Sequence, residues 1–242
     1  MEVPDPDQRI ALMNRLIPFL PLFLALSVAS PFWQRRDSGL QGFRLAAFSE
    51  WPRMGLPEIF ADTQEYDHFV DLLVKAGAIR DASFIWWLIR PSTHYPTLEL
   101  RICDSCTDVR HTVAIAALYR SLVRALTRRP DLSRPIGSIA RGICAENIWH
   151  AQRSGIGAKF VDATSGACLG VGDYLEPVLE LVAEDAAALG CKEWVAATRD
   201  IVRSGTSADH QIEQYRVARD RGDDTDVALK SVITKLIEQT AA

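Results

Sequence analysis

The chain has 242 residues, of which 48% are hydrophobic and 24% are charged, so it is long enough to bury a sizeable core in one domain, at most two. Its net charge of −4 and its pI near 5.8 argue against a nucleic-acid-binding protein, which would carry a basic surplus. Its five cysteines are an odd number and are scattered, which indicates reduced thiols in a cytoplasmic protein rather than a disulfide framework.

The first predicted element is an almost continuous apolar run over residues 16–33, which imitates a secretory signal or a membrane span. The residues ahead of it carry three acidic side chains against two arginines, which is the wrong charge balance for a signal peptide. Pro18 and Pro21 interrupt the run, and its length of 18 residues is marginal for a span. The sequence therefore favours a buried helix, with an exported or membrane-bound protein as the alternative.

Helical periodicity and capping residues predict most of the remaining chain. Asp62, with Glu65 three residues later, begins a helix that Gly77 ends. Asp173, with Glu176 three residues later, begins another. Further helices are predicted near residues 107–128, 137–153, 192–203, 207–221 and 225–239, with short strands near 158–162 and 167–169.

Two longer strands are predicted at residues 83–90 and 97–103, joined by a loop that contains proline. Successive strand residues face opposite sides, so Glu99 and Arg101 share a polar face that lies opposite the apolar side chains of the strand. Two interpretations remain open at this point. The pair is either a surface salt bridge, or it shares one ligand, with the carboxylate on a metal and the guanidinium on a phosphate or carboxylate.

Two other patterns have a structural and a functional interpretation. Arg120, Arg124 and Arg128 recur every four residues on the helix near 107–128, which is typical of a solvent-exposed face. Cys103 and Cys106 have the spacing of zinc ligands, but the chain lacks a second closely spaced pair. Partly buried thiols at the end of a strand are therefore favoured.

The stretch SGTSADHQI contains a helix start. Thr206 or Ser207 is expected to cap the following helix. Capping also accounts for Asp209 and His210, because polar and acidic residues are favourable near a helix N-terminus.

Four stretches, in order across nearly the whole chain, together resemble the glutamate-cysteine ligase type 2 family of carboxylate-amine ligases. These stretches are LALSVASPFWQRRDSGLQGFR with FSEWPRMGLP, then IRPSTHYPTLELRICDSCT, then AENIWHAQRSG, then SGTSADHQI. The resemblance implies an α+β fold similar to glutamine synthetase and glutamate-cysteine ligase, in which helices cover an antiparallel sheet that lines a cleft. Within this family the apolar run over residues 16–33 is expected to be a buried helix.

The resemblance also implies a reaction. ATP phosphorylates the γ-carboxylate of glutamate, and an amine such as that of cysteine displaces the phosphate to form an amide. Both substrates are polyanionic, so the resemblance implies Mg²⁺ or Mn²⁺ together with arginine or lysine side chains.

Specific residues match the motifs of the family. Glu99 would be a metal ligand, while Arg101 and Arg90 would bind anionic groups during catalysis. The alternative for Arg90 is a charged side chain at the end of a strand that extends to water. The residues expected to bind glutamate or ATP are Arg36, Asp37, Arg44, Glu146, Asn147 and Arg153. For Arg36 and Asp37 the alternative is a mutual ion pair at a turn.

Two family features, an acidic run and a His-x-His strand, are expected to precede the point where this sequence starts. The whole chain, residues 1–242, therefore resembles roughly the C-terminal two thirds of such a ligase, folded as one domain that lacks the N-terminal strands. We expect it to be cytoplasmic and inactive or weak alone, without nucleic-acid or membrane partners, and a homo-oligomer remains open. The alternative function is a non-catalytic subunit or remnant that needs a separately encoded N-terminal half.

Overall fold

The computed structural model describes residues 1–132 and 137–241. The α-helices in these residues are α1 (Pro6–Leu16), α2 (Leu20–Ser27), α3 (Phe43–Phe48), α4 (Thr63–Lys75), α5 (Val109–Arg128), α6 (Ser138–Ser154), α7 (Val171–Ala188), α8 (Lys192–Ala196), α9 (Thr198–Ser204), α10 (Ser207–Asp220) and α11 (Thr225–Ala241). The strands are β1 (Phe32–Trp33), β2 (Arg36–Asp37), β3 (Met54–Gly55), β4 (Trp86–Trp87), β5 (Ile89–Pro91), β6 (Leu98–Leu100), β7 (Lys159–Val161) and β8 (Cys168–Gly170).

The predicted α+β class is confirmed, with most of the strands in small antiparallel pairs. Within the described ranges the strands form two-stranded sheets, rather than the antiparallel sheet lining a cleft that the resemblance implies. The pairs β1–β2, β5–β6 and β7–β8 are antiparallel, whereas β3–β4 is parallel. Short strands leave each sheet small, and the helices supply most of the packing surface.

Several element boundaries differ from the predicted ones. Strand β6 ends at Leu100 rather than at residue 103, because the Arg44 side chain bonds to the carbonyl groups of the residues that follow. Helix α7 begins at Val171, two residues before the predicted capping residue Asp173. The helix predicted over residues 192–203 is two short helices that meet at Ala197.

The apolar segment near the N-terminus lies in the core. Residues Pro6–Ser27 form α1, a short 3₁₀ turn and α2, and this stretch is long and apolar enough to cross a membrane. However, 72% of its most apolar window is buried inside the protein, where α1 packs on α5 and α2 packs on α5 and α6. Pro18 and Pro21 sit in first turns, where a missing N–H is tolerated. These contacts agree with the buried-helix interpretation.

Helices α5 and α7 pack together around one buried carboxylate, Asp185, whose side chain is fully inaccessible to solvent. Arg124 and Arg128 bond to its Oδ1, the latter from Nε at 2.9 Å, and Arg129 Nη2 lies 3.4 Å from Oδ2. The predicted solvent-exposed stripe is confirmed for Arg128, which is exposed although it bonds to Asp185, whereas Arg124 is only partly exposed and bonds to Asp185 on α7. Arg120 is exposed as predicted.

Candidate functional site

The pair of strands β5 and β6 brings three predicted site residues together. Arg90 and Glu99 are directly opposed in the antiparallel register, so their side chains share one face. Arg90 Nε donates to Glu99 Oε2 at 2.9 Å, and Arg101 Nη1 donates to Glu99 Oε1 at 3.1 Å. Each oxygen of this carboxylate therefore already accepts a hydrogen bond from one guanidinium.

This cluster is open to solvent on one side. The side chain of Glu99 is 42% exposed, that of Arg101 is 30% exposed, and Arg90 is tied down by the carbonyl groups of Ser83 and Ile85. Glu99 and Arg101 are thus not directed into a dry interior. However, neither residue lines any of the five surface concavities described for residues 1–132 and 137–241. Arg101 Nε is buried and has no hydrogen-bond partner among the described residues.

Glu99 does not fit a divalent cation without further ligands. In the described part of the chain, no group of three or more histidine, cysteine or acidic side chains could hold a metal ion. A site for Mg²⁺ usually combines carboxylates, water and substrate oxygens, whereas Glu99 stands between two cations. The residues present here therefore do not form a metal site by themselves.

A second cluster centres on Asp104, which sequence reasoning did not single out and whose side chain is 2% exposed. Its Oδ2 accepts bonds from the Ala29 N–H at 3.0 Å and from Ser30 Oγ at 2.7 Å. Its Oδ1 accepts from Arg44 Nε at 2.6 Å, and Arg44 Nη2 donates to the carbonyl of Ile102 at 2.8 Å. We call Ser30, Arg44 and Asp104 the Asp104 junction. Arg44, a predicted substrate ligand, thus already has a structural role.

The start of α10 is fixed by a capping box, as the sequence predicts. The Thr206 side chain accepts from the Asp209 N–H at 3.4 Å, and Asp209 Oδ2 accepts from the Thr206 N–H at 2.7 Å. Asp209 Oδ1 also accepts from the Gln41 amide at 3.0 Å, and Ser207 Oγ lies 2.5 Å from Thr107 Oγ1. Capping alone therefore does not account for Asp209, which also joins α10 to the loop before α3.

Replacing Thr206 with alanine is expected to lower the free energy of unfolding by about 1 kcal/mol, because the helix loses its capping acceptor. Urea denaturation followed by circular dichroism measures this change. Thr240→Ala, on the exposed last turn of α11, is the matched control, and a cost equal to the control would contradict the capping role.

The four sequence stretches that carry the family resemblance meet at these contacts. Ser30 and Arg44 of the first stretch bond to Asp104 of the second. The N–H groups of Gln41 and Gly42 both donate to the Gln152 carbonyl of the third, each at 2.9 Å. The fourth stretch reaches the first through Asp209. The residues between these elements are distant in sequence, so this convergence could be inferred from the resemblance but not from periodicity.

Helix α6 carries three predicted ligands, which the structure places in different surroundings. Asn147 is buried. Its Nδ2 donates to the Val161 carbonyl at 2.9 Å, and its Oδ1 accepts from the Val161 N–H at 2.8 Å, so its amide pairs with the edge of β7. Glu146 is exposed, and its Oε1 lies 3.2 Å from Nε2 of His150. The guanidinium of Arg153 lies 5.3 Å from the ring centre of Trp149. Glu146 and Arg153 remain accessible, whereas both polar atoms of the Asn147 amide are occupied.

The hairpin β1–β2 carries Arg36 and Asp37, which are exposed and form no ion pair with each other in the described residues. Asp37 instead accepts from the Gly39 N–H at 2.9 Å. The two-residue turn has φ of 46° at Gln34 and 64° at Arg35, a left-handed conformation that non-glycine residues adopt at some cost. Arg35, which sequence reasoning missed, forms a two-bond ion pair with Asp226 of α11 and holds this turn in place.

The two cysteines with zinc-like spacing lie beside the Asp104 junction. Burial raises the pKa of the Cys103 thiol to about 12 and also raises the pKa of Cys106. Cys103 Sγ lies 3.7 Å from the Phe23 carbonyl. Both groups are therefore protonated thiols near neutral pH, which agrees with the interpretation as partly buried thiols.

Asp104 had a recognisable signal in the sequence. The apolar face of the second predicted strand comprises even-numbered residues, and Asp104 falls on the same face as the buried Ile102. A carboxylate in that position requires polar partners, because burying an unpaired charge is costly. Alternation therefore indicated a buried ionic contact, but it could not indicate that Arg44 and Ser30 would provide it.

Sequence comparisons with known proteins identify the family of this chain. The sequence model of glutamate-cysteine ligase family 2 matches residues 1–232. A protein of Bradyrhizobium sp. (strain ORS 278) is 47% identical over 216 residues, covering 89% of this chain and 52% of its own length. A protein of Rhodospirillum rubrum is 45% identical over 240 residues, covering 99% of this chain and 62% of its own length, and both carry the name "Putative glutamate--cysteine ligase 2". The chain thus spans about half the length of the first of these curated relatives. From the extent of the family match, we conclude that the chain belongs to glutamate-cysteine ligase family 2.

Proposed function

We propose that this chain forms part of an ATP-dependent carboxylate-amine ligase that joins the γ-carboxylate of glutamate to an amine such as that of cysteine. The terminal phosphoryl group of ATP passes to the carboxylate oxygen, and the amine nitrogen then attacks the acyl carbon, expelling phosphate and losing a proton. The observation that carries this proposal is the family match over residues 1–232, with its four characteristic stretches joined by hydrogen bonds in space.

The arginines on β5 and β6 support a role in binding anions. Arg101 and Arg90 converge on one carboxylate, as two clamps on a phosphate or on substrate carboxylate would do. In this proposal they stabilise the negative charge that develops during phosphoryl transfer, and Glu99 keeps their side chains oriented until an anionic substrate arrives. Arg36, Asp37, Glu146 and Arg153 remain accessible for substrate contacts.

Mg²⁺ or Mn²⁺ is part of the proposed reaction, in which it would offset the charge of the phosphates. Glu99 alone is not sufficient to hold it, and in this proposal further carboxylates come from polypeptide outside the described residues. We therefore propose that the 242-residue chain acts as one domain of a larger cytoplasmic catalytic unit. The missing carboxylates would come from a separately encoded N-terminal half or from additional chain of the kind that makes the curated relatives longer.

The isolated chain is expected to release little or no phosphate from ATP in the presence of glutamate, cysteine and Mg²⁺. The full-length relative from Rhodospirillum rubrum serves as the positive control, and its N-terminal portion, co-expressed with this chain, is the reconstitution. Robust turnover by the isolated chain would contradict the proposed need for additional carboxylates.

In the reconstituted assembly, Arg101→Gln is expected to lower kcat/KM by about 100-fold, because one donor to the developing charge is lost. Arg199→Gln is the matched control, since Arg199 forms a surface ion pair with Glu176 on another face. Equal rates for the two variants would contradict a role for Arg101 in the reaction.

The lone carboxylate at Glu99 favours one alternative, a non-catalytic subunit or remnant. This alternative predicts that the N-terminal portion binds the chain without any gain in turnover. Native mass spectrometry of the mixture reports binding, and the phosphate assay reports turnover, so the two functions give different results.

A further inference from the structure

The outer edge of strand β6 is open beside the side chains of Glu99 and Arg101. In an antiparallel ladder, successive residues direct their N–H and C=O groups alternately towards one side of the strand and the other. The Arg101 N–H donates to the Leu88 carbonyl at 2.8 Å, so the odd-numbered residues of β6 bond towards β5. The N–H and C=O groups of Leu100 therefore point away from β5, and no hydrogen bond to either group is found on that side within the described residues.

The same edge already pairs with an extended segment two residues earlier along β6. The amino group of Met1 donates to the Leu98 carbonyl at 3.0 Å, and the Leu98 N–H donates to the Met1 carbonyl at 2.8 Å. The Val3 N–H donates to the Pro96 carbonyl at 2.7 Å in the same antiparallel direction. Pairing thus occurs at positions 96 and 98, and Leu100 is the next position at which this edge offers both a donor and an acceptor.

The side chains at this edge carry more positive than negative charge. Arg90 and Arg101 both donate to Glu99, so two guanidinium groups share one carboxylate. The buried Nε of Arg101 has no hydrogen-bond partner among the described residues. A segment that pairs with Leu100 would place its adjacent side chains opposite Glu99 and Arg101, on their face of the sheet. An acidic or amide side chain opposite Arg101 would complement this surface.

We propose that the open edge of β6 binds an extended segment from the N-terminal portion of the longer relatives, and that this segment adds an antiparallel strand to β6. Its backbone exchanges two hydrogen bonds with Leu100, and a side-chain oxygen accepts from Arg101 Nε. The curated relatives are longer than this chain, so additional polypeptide exists in them. This inference rests on the proposed function, which requires such a partner, and it extends that function by naming the surface that binds the partner.

Hydrogen exchange followed residue by residue by NMR, with and without the N-terminal portion of the Rhodospirillum rubrum relative, tests the proposal. The added strand is expected to slow exchange of the Leu100 amide at least about tenfold, because this amide then exchanges only when the strand detaches. The Cys168 amide is the matched control and should not change. The Asp162 N–H donates to the Ala167 carbonyl, so the Cys168 N–H points away from β7 in the same way. Binding that leaves the Leu100 amide unprotected, or no binding at all, would overturn the proposal.

Proline variants separate the backbone contact from the side chain. Leu100→Pro removes the outward N–H without removing a bond to β5, so it should weaken binding of the N-terminal portion about tenfold relative to Leu100→Ala, which keeps that N–H. Cys168→Pro removes the equivalent N–H on β8 and should bind as tightly as the unmodified chain. The comparison is made between variants whose circular dichroism spectrum matches that of the unmodified chain. Equal binding by Leu100→Pro and Leu100→Ala would overturn the assignment of this edge.

The phosphate assay, run on the same mixtures, separates this inference from the proposed function. Protection of the Leu100 amide without phosphate release would contradict the ligase function alone. Phosphate release without protection of the Leu100 amide would contradict the added strand alone.

Discussion

Replacement of Asp104 with asparagine will lower the free energy of unfolding by about 3 kcal/mol, because it removes a buried charge from partners that remain in place. The carboxylate accepts from Ala29 N–H, Ser30 Oγ and Arg44 Nε at once. The amide of asparagine has one acceptor oxygen, and its NH₂ group would face another donor. The loss is therefore larger than for an exposed ion pair.

Urea denaturation of the variant, compared with the unmodified chain, measures this cost. Asp200→Asn is the matched control, because Asp200 pairs with Arg203 at the surface and should contribute less than about 1 kcal/mol. A double-mutant cycle with Arg44→Met should give a coupling energy of about 2 kcal/mol. Additive effects of Asp104→Asn and Arg44→Met would mean that the two side chains do not stabilise each other.

Asp185→Asn is expected to destabilise the chain by about 3 kcal/mol, through the contact between α5 and α7. Asp185 is fully inaccessible, whereas each of its three arginines is about one third exposed and can still reach water. The cost therefore comes mainly from the charge-assisted hydrogen bonds that the arginines lose rather than from stranded cations. Glu184→Gln is the control, since Glu184 is exposed and also pairs with Arg128, and we expect a cost below about 1 kcal/mol.

The contribution of Asp185 depends on pH. Burial raises the pKa of Asp185, but the hydrogen bonds from Arg128 and Arg124 outweigh burial, so its pKa lies below the ordinary value. A carboxyl group with a lowered folded-state pKa stabilises the fold above its unfolded pKa of about 3.9, and the stabilisation is lost as the pH falls through the folded-state value. The difference in unfolding free energy between the unmodified chain and Asp185→Asn should therefore be constant near neutral pH and shrink below about pH 4. A difference that does not change between neutral and acidic pH would contradict this ionic role.

Local patterns in the sequence were sufficient to predict many of the elements. Asp62 caps α4, Thr206 caps α10, and the alternation in the second long strand places Leu98 and Ile102 in the core and Glu99 and Arg101 together. These features depend on residues a few positions apart. The described strands form separate two-stranded sheets instead of the sheet that the resemblance implied, and local patterns could not show this because strand pairing depends on long-range contacts.

The candidate site was only partly accessible to such reasoning. The stripe formed by Arg124 and Arg128 has the spacing of an exposed face, and its true partner, Asp185, lies about 60 positions further along the chain. Asn147 was expected to bind a substrate, yet its amide replaces a missing strand neighbour beside Val161. In both cases the polar residue was recognised and its partner was not, because the partner belongs to an element that packs beside it only after folding.

The burial of Pro6–Ser27 has a consequence during synthesis. Helices α5 and α6, which cover this segment, leave the ribosome after more than 80 further residues have been added, which takes several seconds at roughly 5–20 residues per second. During that interval the apolar surfaces that α5 and α6 later cover remain exposed. The exposed segment of the nascent chain is therefore a binding site for chaperones. The yield of folded molecules depends on how long this segment stays exposed.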